Sequence, residues 1–249
     1  MTESTKFSVM IPVKNDAVHL RKLLTSCKNQ TLKPAQIIVA SSSTDNSNKI
    51  ARSFGARVVP GIVDGRIGRA RNLGAKLAKS PLLIFIDADV YFQLDFFANV
   101  IQEFEKRELD LATCRISPSE KSAKMKIIFY LVGLEARVGA KINYVTNAAG
   151  MFMIFKNSVF EKIHGFNEEF KVCEDIDAVN RARKLGYRYG VLNQWITASA
   201  RRYENRNFLG LIKLLLATIG IFFMTKYGWF KKHQNRFVRW YGPTGGGYL

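Results

Sequence analysis

Asp87 and Asp89 stand two residues apart at the end of an apolar run, in LLIFIDADV from Leu82 to Val90. Carboxylates are hard oxygen donors, the type that holds a divalent cation or accepts hydrogen bonds from a sugar hydroxyl. If the chain stays extended through this stretch, alternation points both side chains the same way, toward one cation or one ligand. Such a pair suits chemistry on a phosphorylated substrate, although an isolated D-x-D also serves to end a strand and solvate a turn. A second group of acids, Glu174, Asp175 and Asp177, opens the segment CEDIDAVNRARKLGY. There the dipole of a helix favours negative charge, so capping alone would also account for them. Arg66, Arg69 and Arg71 accompany Gly65 and Gly68 in GIVDGRIGRARNLGA, a composition that lets an anion approach backbone and guanidinium donors.

These groups need a scaffold, and the first half of the chain supplies one. Short apolar runs, FSVMIPV, QIIVA, ARVVP and LLIFID, alternate with helix-type segments AVHLRKLLTSC, TDNSNKIARSF and ARNLGAKLAKS. Continuous apolar strands separated by helices of about three turns read as β-α-β units in an α/β fold with a mostly parallel sheet flanked by helices. In such sheets ligands bind outside the carboxyl ends of the strands. Polar clusters fall at those ends: Lys14, Asn15 and Asp16 after the first strand, SSSTDNS from Ser41 after the second, and the D-x-D after the fourth. Thr44 and Asp45 also fit as ordinary caps of the helix that follows. Later segments predict a helix in LDFFANVIQEFEKR, a strand in LDLATCRI, a strand and short helix in AAGMFMIFKNSVFEKIHGF, and a helix with Ile176, Val179, Ala182 and Leu185 on one side.

Composition narrows the partners. The 249 residues carry a formal charge of +18, which calls for an anionic partner: nucleic acid, a phosphate-rich small molecule or an acidic membrane. The three cysteines, Cys27, Cys114 and Cys173, are far apart and odd in number, against a disulfide framework and in favour of a reducing compartment. His19, His164 and His233 are equally scattered, against a zinc site. The opening MTESTKFSV has no basic head and apolar run, so export is not expected.

Taken in order, SVMIPVKND at Ser8, STDNS at Ser43, GRARNLGAKLAKS leading to IDADV, GMFMIFKNSVFEKIHGFNEEF at Gly150 and CEDIDAVNRARKLGY at Cys173 resemble family 2 inverting glycosyltransferases. The resemblance implies the GT-A fold and single transfer of a sugar from a UDP- or GDP-linked donor. It implies that Pro12, Lys14, Asn15, Asp16, Ser41, Arg71 and Asp87 contact the nucleotide, Asp87 at its ribose. Asp89, with Asp87 beside it, would hold Mn2+ or Mg2+, and Asp175 would be the general base for the acceptor hydroxyl. Two departures stand out. Ala40, Ser41 and Ser42 replace the acidic pair that often contacts the base, and SARRY at Ser199 stands where processive members carry Q-x-x-R-W. The latter implies one transfer, with Arg201 and Arg202 facing a diphosphate or an acceptor phosphate.

The chain divides into a catalytic domain, 1–206, and a basic, aromatic segment, 207–249. Between Arg201 and Tyr241 lie nine Lys or Arg and one acid, Glu204, among many aromatic residues. FLGLIKLLLATIGIFFM, from Phe208, would span about 25 Å as a helix, short of a hydrocarbon core of roughly 30 Å. An amphipathic, interfacial helix is expected there, and KSAKMKIIFYLVGL from Lys121 repeats its pattern of lysines ahead of an apolar run. A lipid-linked acceptor, a polyprenyl phosphate or pyrophosphate glycan on the cytoplasmic face of the membrane, follows as the expected partner. A basic nucleic-acid-binding protein and a noncatalytic glycosyltransferase-like scaffold are the competing readings, the first without a recognisable nucleic-acid motif.

Overall fold

A computed structural model describes residues 5–61, 66–119, 122–141 and 150–199. The 206/207 boundary, Arg201, Arg202 and the interfacial segment lie outside the described residues. In chain order the elements are β1 (Phe7–Val13), α1 (Ala17–Lys28), β2 (Gln36–Ser41), α2 (Ser47–Ser53), β3 (Arg57–Pro60), α3 (Ile67–Ala75), β4 (Leu82–Ile86) and β5 (Val90–Tyr91). There follow α4 (Phe96–Lys106), β6 (Leu111–Pro118), α5 (Ala123–Lys141), β7 (Phe152–Lys156), α6 (Asn157–Lys162), α7 (Glu174–Lys184) and β8 (Tyr189–Ala198).

The strands form one sheet in the order β3-β2-β1-β4-β7-β6-β8-β5. The expected parallel block is present as β3, β2, β1 and β4, and β6 runs parallel to β8. Between these blocks β7 is antiparallel to both β4 and β6, and the short β5 is antiparallel to β8. This insertion has a functional consequence. The carboxyl ends of β1, β2, β4, β6 and β8 share one edge of the sheet, and the amino end of the reversed β7 joins them there.

Alternation along the central strands explains the layers. In β1, Phe7, Val9, Ile11 and Val13 pack with α1 and α4, while Met10 faces the opposite core. In β4, Leu82, Ile84 and Ile86 join the first core, and Leu83 and Phe85 the second, where Phe85 meets Phe155, Phe160 and Phe166 at ring separations of 5.0 to 5.9 Å. Burial on both faces is why these strands are almost wholly apolar, the exception, Ser8, being paired with Ser80 Oγ at 2.9 Å.

Two local expectations are corrected. The chain is not extended through the D-x-D: β4 ends at Ile86, Ala88 and Asp89 form a turn, and the Val90 N–H bonds back to the Asp87 carbonyl at 3.3 Å. The strict alternation expected of Asp87 and Asp89 therefore does not apply. The helix expected from Thr44 opens at Ser47, because Thr44 and Asp45 are committed to the loop before it.

Candidate active site

The loops after β1 and β2 are stitched together at the site edge. Asn15 adopts a left-handed φ of 51°. Its N–H donates to Ser43 Oγ at 2.8 Å, and its Oδ1 accepts the Thr44 N–H at 2.8 Å and that of Asp45 at 3.4 Å. Asp45 answers in the other direction. Its Oδ2 accepts the first N–H of α1, from Ala17, at 3.1 Å, and its Oδ1 accepts the Ser47 N–H at 2.9 Å. Burial works against this carboxylate's charge, but the hydrogen bonds from Ser47 and Ala17 hold its pKa below the usual carboxylate range. Asp45 thus caps two helices at once.

Of the other expected nucleotide contacts, Pro12 is buried in β1 opposite Ala40, and Lys14 is half-buried just beyond the strand. Asp16 pairs with His19 Nδ1. Ser41 is buried, its Oγ accepting the Ser43 N–H at 3.2 Å, while its carbonyl accepts the Gly61 N–H at 2.6 Å. Backbone N–H groups donating to Asn15, Ser41 and Asp45 fix the shape of the two loops at this edge.

The centre of the site is Arg71, which is 2% exposed and lies on α3. Its Nη1 donates to Glu174 Oε1 at 2.7 Å, and its Nη2 donates to Asp87 Oδ1 at 2.7 Å and to the Gly150 carbonyl at 2.8 Å. The guanidinium also lies 5.5 Å from the centre of the Phe166 ring. Burial opposes its charge, yet Asp87, Glu174 and Asp175 outweigh that and raise its pKa above the ordinary arginine value. Glu174 shows the counterpart. Burial pushes its carboxyl up to about 7, against the lowering effect of Arg71.

The acids that open α7 diverge. Glu174 turns inward to Arg71, and Asp177 pairs with Arg181 at 2.7 Å, an i,i+4 partner that also donates to the carbonyls of Ile163 and Gly165. Asp175 is fixed by two backbone donors: Gly150 N–H to Oδ2 at 2.9 Å and its neighbour Ile176 N–H to Oδ1 at 2.8 Å. Capping is thus part of its role, as its position in the first turn allows, but the Gly150 bond reaches outside the helix. Position 150 has no room for a side chain, since a Cβ there would lie 2.5 Å from Asp175 Oδ2.

Gly150 therefore joins the two carboxylates singled out in the sequence. Its carbonyl takes Arg71, which holds Asp87, and its N–H holds Asp175. The Asp87 N–H bonds to the Met151 carbonyl at 3.1 Å, fixing the end of β4 to the start of β7. Asp89 is half-buried in the turn beyond it. Among the described residues no group of three or more His, Cys, Asp or Glu side chains converges as a metal cage. Asp87, one oxygen of which is taken by Arg71, and Asp89 are hard oxygen donors, the type that would hold a cation completing its shell with phosphate and water oxygens.

Two positions went unassigned in the sequence reading. Glu174 is the buried partner of Arg71. Asn72 pins the 163–168 loop, with Nδ2 donating to the Phe166 carbonyl and Oδ1 accepting the Phe166 N–H, both at 2.9 Å. Arg69 reaches Glu168 of the same loop at 3.4 Å. Each stands next to a residue already singled out, Asn72 beside Arg71 and Glu174 beside Asp175, and that adjacency was the available signal.

Residues 8–164, well over half of the chain, match the family model for glycosyl transferase family 2. The uncharacterized glycosyltransferase EpsJ of Bacillus subtilis is 30% identical over 112 residues, 43% of this chain and 33% of EpsJ. The chain spans no more than a third of the length of the first curated relatives it matches. Among solved structures, the mannosyltransferase PcManGT of Pyrobaculum calidifontis, in complex with GDP-Man and Mn2+, superposes with a TM-score of 0.69 at 17% identity, over 87% of this chain and 63% of that one. TarS 1-349 of S. aureus, in complex with UDP-GlcNAc, gives 0.65 at 20% identity, over 86% of this chain and 66% of that one. At these identities the structures establish the shared fold, while the sequence match establishes kinship: the chain belongs to glycosyl transferase family 2.

Proposed function

We propose that the protein transfers one sugar from a UDP- or GDP-linked donor to an acceptor hydroxyl, with inversion at the anomeric carbon. The observation that carries this reading is the Asp87–Arg71–Gly150–Asp175 connection, in which one guanidinium and one peptide link the carboxylate at the end of β4 to the one at the start of α7. PcManGT and TarS, bound to GDP-Man and UDP-GlcNAc, support a nucleotide-sugar donor on the same fold.

The chemistry requires one displacement. The acceptor oxygen forms its bond to the anomeric carbon as the bond from that carbon to the diphosphate oxygen breaks, and the nucleotide diphosphate leaves with the electron pair. Asp175 receives the acceptor proton. Its two backbone donors orient the carboxylate and use only part of its capacity of about four acceptor sites. Asp87, held by Arg71, is assigned to the ribose hydroxyls, and Pro12, Lys14, Asn15, Asp16 and Ser41 to the nucleoside. Asp89 with Asp87 would hold Mn2+ or Mg2+, which when bound offsets negative charge on the departing diphosphate. The Mn2+ in the PcManGT complex supports the use of a divalent cation.

For the acceptor we propose a lipid-linked phosphate or pyrophosphate glycan, reached by the enzyme from the cytoplasmic face of the membrane. The charge of +18 supports this reading. Arg201 and Arg202 are assigned to the donor diphosphate or the acceptor phosphate. Calorimetric titration of UDP- and GDP-sugars, with and without manganese, tests the donor assignment. Manganese-dependent binding of one donor class is expected. Binding of none, together with salt-sensitive retention of single- or double-stranded nucleic acid on filters, would favour the nucleic-acid reading instead.

A further inference from the structure

Helix α5 is apolar on two sides. Met125, Phe129 and Ala136 are buried, and the helix packs against β6 and β8. Its other side carries Ile127, Tyr130, Leu131, Leu134 and Val138, at steps of three, four and one along the helix, each between 41% and 62% exposed. A helix of that kind in water ordinarily has a second partner. Beside it on β8 stands Trp195, 54% exposed. Of the nine large apolar side chains exposed among the described residues, six lie on this one face. Scattered apolar exposure is ordinary on protein surfaces, but concentration of this degree marks an interaction surface.

Cations frame the patch. The Arg115 guanidinium lies 5.6 Å from the centre of the Trp195 ring, and that of Arg137 lies 5.9 Å from the centre of Tyr130. Lys126 is exposed at the start of the helix. Arg115, Lys126, Phe129, Tyr130, Arg137 and Trp195 line a shallow depression of about 210 Å³ with no carboxylate among the described residues of its wall. Aromatic and aliphatic groups flanked by arginine and lysine are the composition that settles at the headgroup level of an anionic bilayer. Among the described residues no helix is long and apolar enough to cross a membrane, and contact of this face with a bilayer would be interfacial.

We infer that the outer face of α5, together with Trp195, is the surface by which the protein docks on an anionic lipid bilayer. The position is apt. α5 follows β6 from the site edge of the sheet, where β4 delivers Asp87, and runs to the far edge, where Arg183 Nη1 donates to the Ala140 carbonyl at 3.0 Å. Docking along α5 would bring the start of this helix, which lies at the site edge of the sheet, to the membrane. The inference deepens the membrane-acceptor reading above, and its test uses no sugar chemistry.

The test is flotation of the full chain with vesicles of phosphatidylcholine, with and without phosphatidylglycerol, beside thermal melting and sedimentation of the same samples. The native chain floats with the anionic vesicles at low salt, and the Trp195 contribution to emission, obtained by difference from Trp195→Phe, shifts to the blue. Leu131→Glu/Leu134→Glu lowers the partition coefficient at least about tenfold and Lys126→Glu/Arg137→Glu lowers it severalfold, without changing donor binding. Unchanged flotation of the leucine double variant overturns the inference. So does a variant that loses a dimer or several degrees of melting temperature while still floating, since a second copy or another segment of the chain would then cover the face. Flotation that fails as expected in a protein that binds no nucleotide sugar would uphold the docking surface and refute only the transferase reading.

Discussion

Replacing Arg71 by methionine removes one buried cation from between two carboxylates and a carbonyl. Asp87 and Glu174 each lose an ion pair of 2.7 Å, and the Gly150 carbonyl loses its donor at 2.8 Å. Breaking a buried pair by deleting one partner costs about 3–5 kcal/mol, because the remaining charge stays in a poor environment. For a chain of this size each kcal/mol lowers Tm by about 2–4 °C, so a fall of about 10 °C is expected near neutral and alkaline pH. Glu174 gives this loss a pH signature. Its carboxyl already stands at about 7, against an ordinary value of 4.5, because burial raises it and Arg71 only partly lowers it.

Between those values the folded protein binds a proton that the unfolded chain does not. The stability associated with Glu174 is therefore fully present below about 4.5 and is lost as pH rises through about 7. Without Arg71 the window extends upward and deepens, since protonating Glu174 is the remaining way to neutralise it. Thermal melts should then show Arg71→Met losing about half as much near pH 5.5 as near pH 8. Arg71→Met/Glu174→Gln should recover much of the alkaline loss. Equal losses at both pH values, or no recovery in the double variant, would refute the account of Arg71 as the charge that holds both carboxylates.

Three further outcomes follow from the site geometry. Gly150→Ala drives a Cβ to 2.5 Å from Asp175 Oδ2, so the carboxylate must move; turnover should fall about 10²-fold with donor affinity preserved, read from steady-state kinetics beside calorimetry. Asn15→Ala removes the acceptor of the Thr44 and Asp45 N–H groups and loosens the loops after β1 and β2, raising the donor KM proportionally more than it lowers kcat. Asp89→Ala should abolish the manganese dependence of donor affinity in calorimetry; a variant with native metal dependence would move the cation to other residues.

The features legible in the sequence were those with a local signature. Predominantly apolar runs marked β1, β2 and β4 as buried strands, and the parallel crossover placed their polar carboxyl ends together. The fate of the D-x-D was less accessible. Its spacing fits an extended chain, but the edge is closed there by the reversed β7, and the Met151 carbonyl takes the Asp87 N–H as the chain turns. The role of Arg71 was hidden for a different reason. Its partners Asp87 and Glu174 lie 16 and 103 residues away, and no pattern within one helix distinguishes a guanidinium that awaits an anion from one already holding two carboxylates. Asp45 looked like a cap for its own helix and proves also to cap α1, a link visible only once β1 and β2 are neighbours.

The most direct test of the central claim is release of nucleotide from UDP- and GDP-sugars in the presence of manganese, with the native chain beside Asp175→Asn. The native chain should turn over one donor class, and the variant should bind this donor with native affinity but turn it over at least about 10³-fold more slowly. Near-native turnover by Asp175→Asn, or donor binding without turnover by the native chain in the presence of a competent acceptor, would contradict that claim.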